Sequence, residues 1–234
     1  CHMIRDAIER LVLEEGAERF KAFAREAIED GRRGFKATVR AMTVPGRYRS
    51  PGFLDARFAD KPQLPKRAQR DLMLHGNYEV EIGADGHWTT DLTGSSAWGW
   101  HSMNATPSAQ QGMQWILFTQ TLICNDKIND GAYYGTSLRL EPGSWCDIGD
   151  APCSSSVPWT TLFASWTGYC RALSRAVQSR GYIEEIMGAF NVPGNAMQGG
   201  GIDQYGQFSG FMNFEFGAMG GGAKGVVDGL DYGD

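Results

Sequence analysis

The side chains best suited by type and position to move protons are His101, Asp91 and Glu215. An imidazole titrates near neutrality, and a carboxylate at a strand end can be held in one pose by the backbone around it. His101 stands in Trp98-Gly99-Trp100-His101-Ser102-Met103-Asn104, which gathers two large aromatics, an imidazole and a carboxamide. Such a loop can take a substrate or a protein surface against Trp98 and Trp100, with Asn104 as a hydrogen-bonding partner. The same residue types also serve a loop that folds back onto its own sheet, and both readings stand at this point. No other chemistry is spelled out. The five cysteines form no CxxC pair and the four histidines no HxH or HxxxH, so spacing writes no metal-ligand set and none is expected. Ser154-Ser155-Ser156 lacks the G-x-S-x-G of a nucleophile elbow, and no Gly-Lys-Ser/Thr marks a P-loop. Gly220, Gly222 and Gly225 satisfy G-x-G-x-x-G, but only Val226-Val227-Asp228 precedes Gly229. That is too short for the helix a dinucleotide site requires.

The elements that must position these residues follow from periodicity. Tyr78, Val80 and Ile82 alternate with charged residues, Asp85-Gly86 turns the chain, and Trp88, Thr90 and Leu92 alternate again. This predicts a β-hairpin with one buried face, ending just before the aromatic loop. Pro107 suits the first turn of the next helix, which runs through Met113 toward Cys124; Ser137 to Leu140 is a short strand entering the turn Pro142-Gly143-Ser144. Trp159, Leu162, Phe163, Trp166, Cys170, Leu173 and Val177 form one stripe of a long core helix between Pro158 and Gly181. Upstream, Ile4, Ile8, Leu11 and Val12 predict an amphipathic helix ending at Gly16. Phe20, Phe23, Ala24, Ala27 and Ile28 predict a second one reaching past Gly31 toward Met42. Residues 43–72 hold Pro45, Pro51, Pro62 and Pro65 with Lys61, Lys66, Arg67 and Arg70, and read as a Pro-rich basic loop. Beyond it, Ile183 to Phe190 reads as a short helix and Phe208 to Phe216 as a strand, while Gly199-Gly200-Gly201 and Gly220-Gly221-Gly222 read either as tight turns at a subunit or domain junction or as places of close approach by substrate or a neighbouring chain. The fold class is α+β, with no regular βαβ rhythm. Residues 1–3 read as a cloning remnant, 4–72 as a helical segment with its basic loop, and 73–234 as a mixed core.

Composition sets the outer limits. The 234 residues carry a net charge of −5, with 42% hydrophobic and 21% charged. That balance is ordinary for a globular protein and argues against a general nucleic-acid partner, which needs clustered cations. No apolar run reaches the roughly 18 residues of a membrane span. The odd cysteine count without a signal peptide fits reduced thiols and a cytoplasmic location, with Cys124 and Cys170 packed among apolar helix positions. The turn-rich end, Asp228 to Asp234, closes on no element, so the sequence reads as an internal piece of something longer.

The order of small motifs carries a resemblance. Pro45-Gly46-Arg47-Tyr48, Asp91-Leu92-Thr93-Gly94-Ser95, Asn104, Asn129-x-Gly131, Glu141-Pro142-Gly143-Ser144 and Ala151-Pro152 occur in sequence. Glu215-x-Gly217, Gly220-Gly221-Gly222 and Asp228-Gly229 follow. The series, covering nearly the whole chain, resembles the hydantoinase B/5-oxoprolinase family. Trp98-Gly99-Trp100-His101, residues 125–131 and the Phe190 to Phe216 region look most like its acetone-carboxylase α-subunit branch. The resemblance implies an ATP-dependent carboxylation of a ketone with bicarbonate, using Mn²⁺ in this subunit. It implies as partners the remaining part of the same subunit, a kinase-like hydantoinase-A-like subunit and a small third subunit. The family's metal-binding His and Asp residues are expected upstream of residue 4, so none is carried over. Two other readings accompany this one: an ATP-dependent hydantoinase or 5-oxoprolinase hydrolase, and a subunit-docking module without catalytic residues. On any of them the isolated chain is expected to be inactive.

Overall fold

The computed structural model describes residues 2–62, 64–101, 103–123, 129–152, 159–184, 186, 195–215 and 223–229. Two helices lead. α1 (His2–Glu15) and α2 (Ala17–Met42) are separated by Gly16, whose φ of 86° breaks the helical path at a cost only glycine avoids. α1 buries no residue, whereas α2 buries Gly31, Phe35 and Val39, one stripe at four-residue spacing.

The stretch expected to be a Pro-rich basic loop instead contributes two strands, β1 (Gly46–Arg49) and β2 (Gly52–Ala56), and a 3-10 turn at Lys66–Ala68. Pro45 and Pro51 fall immediately before or between the strands and not inside them, where proline is tolerated. The chain continues through β3 (Leu72–Gly76), β4 (Glu79–Ile82), β5 (Trp88–Asp91), α3 (Pro107–Thr121), a 3-10 helix at Asp130–Gly135 and β6 (Thr136–Arg139). It then forms α4 (Trp159–Ser179), β7 (Asn195–Ile202) and β8 (Phe208–Glu215). One sheet has the order β1-β4-β5-β6, antiparallel except for the parallel β5–β6 pair; β2–β3 and β7–β8 are separate antiparallel ribbons. The class is α+β, as expected.

The hairpin forms as the alternation predicts. Ile82 faces Trp88 and Val80 faces Thr90, and Tyr78, Val80, Ile82, Trp88, Thr90 and Leu92 are all buried. Lys36 of α2 pairs with Asp85 at 2.6 Å, and a Cβ on Gly86 would lie 2.3 Å from the Lys36 carbonyl, so the helix closes directly over the turn. Trp88 is fully buried, with Phe118 of α3 at 5.5 Å and Tyr169 of α4 at 5.8 Å between ring centroids; Phe35 of α2 meets Phe118 at 5.1 Å. Four elements thus share one aromatic centre. The opposite face is charged: Glu79 is clasped by Arg47 and Arg49, and Arg139 pairs with Glu81.

The 3-10 helix before β6 explains one motif physically. Asn129 Oδ1 accepts from Gly131 N at 2.8 Å, while its Nδ2 donates to the Ala27 carbonyl at 3.0 Å. A Cβ on Gly131 would lie 1.7 Å from the Ile28 carbonyl, so α2 can approach only a glycine there.

Several expectations are corrected. Gly199-Gly200-Gly201 lies inside β7, paired with Phe211, Gly210 and Ser209, and is not a turn. Ile183, Glu184 and Ile186 are not helical, and the rest of that expected helix lies outside the described residues. Gly220-Gly221-Gly222, Cys124, Pro158 and the side chains of Trp159, Leu162 and Phe163 also lie outside them. Cys146 and Cys170 are buried free thiols, each pushed up to about 12 by burial, and serve packing. No helix among the described residues is long and apolar enough to cross a membrane.

Candidate functional site

Because β5 and β6 run parallel, both deliver their chains at the same end of the sheet. The segments that follow them are therefore neighbours, although about fifty positions apart in sequence. Leu92 N donates to the Arg139 carbonyl at 3.0 Å, Gly94 N to Glu141 Oε2 at 3.0 Å and Trp98 N to the Gly143 carbonyl at 3.0 Å. Trp145 N donates to the Ser96 carbonyl at 2.9 Å. The end of β3 joins them: the His75 carbonyl accepts from Ser96 N at 2.8 Å and from the Trp145 indole at 3.0 Å. The motifs Asp91 to Ser95 and Glu141 to Ser144 are thus two halves of one cluster at the carboxyl end of a parallel strand pair, a place where α/β sheets often bind ligands.

Asp91 and Asn104 hold the cluster rather than presenting free groups. Asp91 Oδ1 accepts from Thr93 N at 2.9 Å and Thr93 Oγ1 at 2.6 Å, and its other oxygen lies 3.8 Å from Arg139. Asn104 is fully buried; its Oδ1 accepts from Gly99 N at 3.0 Å and its Nδ2 donates to the carbonyls of Gly99 and His101 at 3.0 and 2.7 Å. One carboxamide therefore ties the aromatic loop into a ring.

His101 is not an exposed loop residue. It is 5% exposed, stacked on Phe58 at 5.5 Å, and packed so closely on Gly99 that a Cβ there would lie 2.3 Å from Nε2. Burial lowers its pKa below the ordinary imidazole value, which favours the neutral ring. Nδ1 accepts from Met103 N at 3.3 Å, so the neutral ring carries its proton on Nε2, which has no partner among the described residues. In this arrangement His101 offers a buried donor and no accessible base.

Trp98 and Trp100 are half-buried and meet edge-on at 5.2 Å, and the Arg67 guanidinium lies 3.6 Å above the Trp100 ring. The outer rim of the site is thus an aromatic pair capped by a cation. Glu215 ends β8 opposite Asn195, in the separate ribbon; its side chain lies outside the described residues. No described contact joins it to Asp91 or His101. Four contributors escaped the sequence: Phe58, Arg67, Trp145, and Glu141 as the acceptor for Gly94. Arg67 stood out only as one cation in a basic stretch, and nothing in spacing pointed it at Trp100.

Among the described residues no group of three or more His, Cys, Asp or Glu side chains gathers as metal ligands would. The Mn²⁺ implied by the resemblance finds no ligand set in them.

Known proteins agree with the motif series. The chain is 43% identical over 234 residues to the acetone carboxylase α subunit of Xanthobacter autotrophicus (strain ATCC BAA-1158 / Py2), matching 99% of this chain and 30% of that protein. The nucleotide-free structure of acetone carboxylase superposes with a TM-score of 0.89 at 41% identity, over 100% of this chain and 32% of that one. The ATP-dependent caprolactamase of Pseudomonas jessenii shares the fold, with a TM-score of 0.66 at 15% identity over 100% of this chain and 40% of its own. The chain therefore spans about a third of the length of the acetone carboxylase relatives. The sequence profile of the hydantoinase B/oxoprolinase proteins matches residues 1–234 from end to end, and the chain belongs to that family.

Proposed function

We propose that the chain is a segment of the α subunit of an acetone-carboxylase-type ligase, which carboxylates a ketone with bicarbonate at the expense of ATP. The observation that carries this reading is the end-to-end likeness, in both sequence and structure, to acetone carboxylase. Within that enzyme the segment supplies a wall. Asp91 and Asn104 fix two turns, His101 fills the space behind them, and Trp98, Trp100 and Arg67 form the face offered to a substrate or to another subunit. Mn²⁺ and ATP belong to the assembled enzyme, with ligands contributed outside the residues described here. Its partners are the rest of the α subunit, a hydantoinase-A-like subunit and a small third subunit, and its setting is cytoplasmic.

The test is made in the assembled complex. Trp100→Ala and Arg67→Ala are scored for co-purification of the other subunits and for ketone-dependent ATP turnover. Retained assembly with turnover lowered at least about tenfold, or about 1.4 kcal/mol of transition-state stabilisation, supports a wall of the reaction chamber. Lost assembly supports a subunit contact. Wild-type behaviour in both measurements removes the aromatic face from the function. Absence of any ketone-dependent turnover in the wild-type complex overturns the ligase reading itself.

A further inference from the structure

Beneath the buried face of the hairpin, Tyr78 and Thr90 of the sheet side, Gln110 and Gln114 of α3 and Ser165 of α4 line one small cavity, closed by apolar side chains that include Leu92 and Leu138. Tyr78 and Gln110 are 3% and 2% exposed; among the described residues Gln110 Nε2 has no hydrogen-bond partner, and Tyr78 Oη makes no bond of ordinary geometry, although the Thr90 hydroxyl acts on it. Their neighbours are already engaged: Thr90 Oγ1 accepts from the Trp88 indole at 3.0 Å and from Gln114 Nε2 at 2.6 Å, and Ser165 Oγ donates to Gln110 Oε1 at 3.2 Å. Two donors thus end in the same closed space, each carrying the penalty of a buried unpaired polar group. The room left for the centre of a small molecule is about 10 Å³. That is the lower limit for a single water, roughly 10–15 Å³ on the same measure. No charged residue lines it among the described residues, so an ion would go uncompensated, and anything larger would collide with the leucines.

We propose that this cavity is a binding site for one ordered water, which accepts hydrogen bonds from Tyr78 Oη and Gln110 Nε2 and so joins the hairpin to α3. Gln114 and Leu138 separate it from a surface groove of about 510 Å³ lined by residues such as Gln111, Tyr133, Tyr134 and Ser137. The proposal is independent of the ligase reading.

The sign of one substitution decides it. With the water in place, Tyr78→Phe in the whole chain removes a hydrogen bond and lowers the melting temperature by about 2–4 °C, the shift typical of one such bond in a domain of this size. Without it, the same change deletes a hydroxyl whose own hydrogen is unpaired and leaves the melting temperature unchanged or raises it, which would overturn the proposal. Gln110→Met combined with Tyr78→Phe should cost less than the sum of the two single changes, since both bonds go to one water; strict additivity counts against it. A readout that needs no variant is the water–protein NOE to the Gln110 side-chain amide in the wild-type chain. A long-lived cross-peak supports the site and its absence overturns it.

Discussion

The β4–β5 hairpin and the connection that leaves it, residues 92–106, are adjacent in sequence but are held by different forces. In the hairpin one face is wholly buried, Glu79 and Thr89 of the other face are buried as well, and stability comes from apolar area gathered around Trp88. In the connection the backbone is irregular, and a single carboxamide, Asn104, satisfies groups of two residues while His101 fills the space beside Gly99. One region is built from a repeating pattern and distributes its stability. The other depends on individual polar contacts, so single substitutions there should alter shape more than overall stability.

Trp88→Ala tests the first half of that contrast with the largest expected effect. The change should cost about 3–5 kcal/mol, as for a large aromatic truncated in a packed core, and denaturant melts monitored by far-UV circular dichroism measure it. A loss below about 1 kcal/mol would mean that the aromatic centre contributes little. Asn104→Ala probes the second half. It leaves the half-buried Gly99 N–H and the carbonyls of Gly99 and His101 without this partner and should cost on the order of 2 kcal/mol, while the near-ultraviolet signal of Trp98 and Trp100 changes more than the far-ultraviolet one. Equal loss of both signals would place the loop inside the hairpin's cooperative unit.

A smaller effect is carried by pH. Burial lowers the His101 pKa in the folded protein, so the unfolded chain binds the proton more readily. His101 therefore contributes no pH dependence well above its unfolded value of about 6.5, and stability falls as pH drops below that value toward the folded one. The slope from this one group cannot exceed about 1.4 kcal/mol per pH unit. His101→Gln should flatten the difference between melts at pH 7.5 and pH 5.5 (about one unit either side of that value), and an unchanged difference would assign it to other groups. The smallest effect sits at the hairpin turn. The Lys36 ammonium, helped by the His87 backbone N–H, holds the exposed Asp85 carboxyl at about 2. Its contribution is thus present above the ordinary carboxylate range and disappears only as pH falls toward 2. Lys36→Met should move the Asp85 titration, followed by NMR, back toward ordinary values, and an unmoved titration would remove Lys36 as its cause.

The same contrast explains what could be read in the sequence. Alternation around Asp85-Gly86 encodes the hairpin locally, and Pro107 and Gly16 mark helix limits through their backbone chemistry. The prolines of residues 43–72 correctly excluded a helix but concealed two strands of four and five residues that fit between them. Short strands acquire their partners from distant segments, β4 for β1 and β3 for β2, and no local pattern reveals that. The candidate site was legible as a set of motifs and not as an arrangement. Nothing in the spacing of Asp91 and Glu141 shows that parallel pairing sets their segments side by side. Nothing in His101 shows that Phe58 and Gly99 enclose its ring. A histidine among tryptophans suggested accessible chemistry; burial on two sides is a property of the tertiary packing alone.

The parallel β5–β6 pair also has a kinetic consequence. β4 and β5 can zip as soon as the Asp85-Gly86 turn closes, whereas β6 must await a long loop closure spanning α3 and the Asp130–Gly135 helix. Leu92 N, Gly94 N and Trp98 N acquire their acceptors only from the segment that β6 brings with it. In pulsed hydrogen exchange during refolding, the β4–β5 amides should become protected before these three, and simultaneous protection would refute that order. The aromatic face is then assembled only after the hairpin, and whatever binds it would act on contacts that form late.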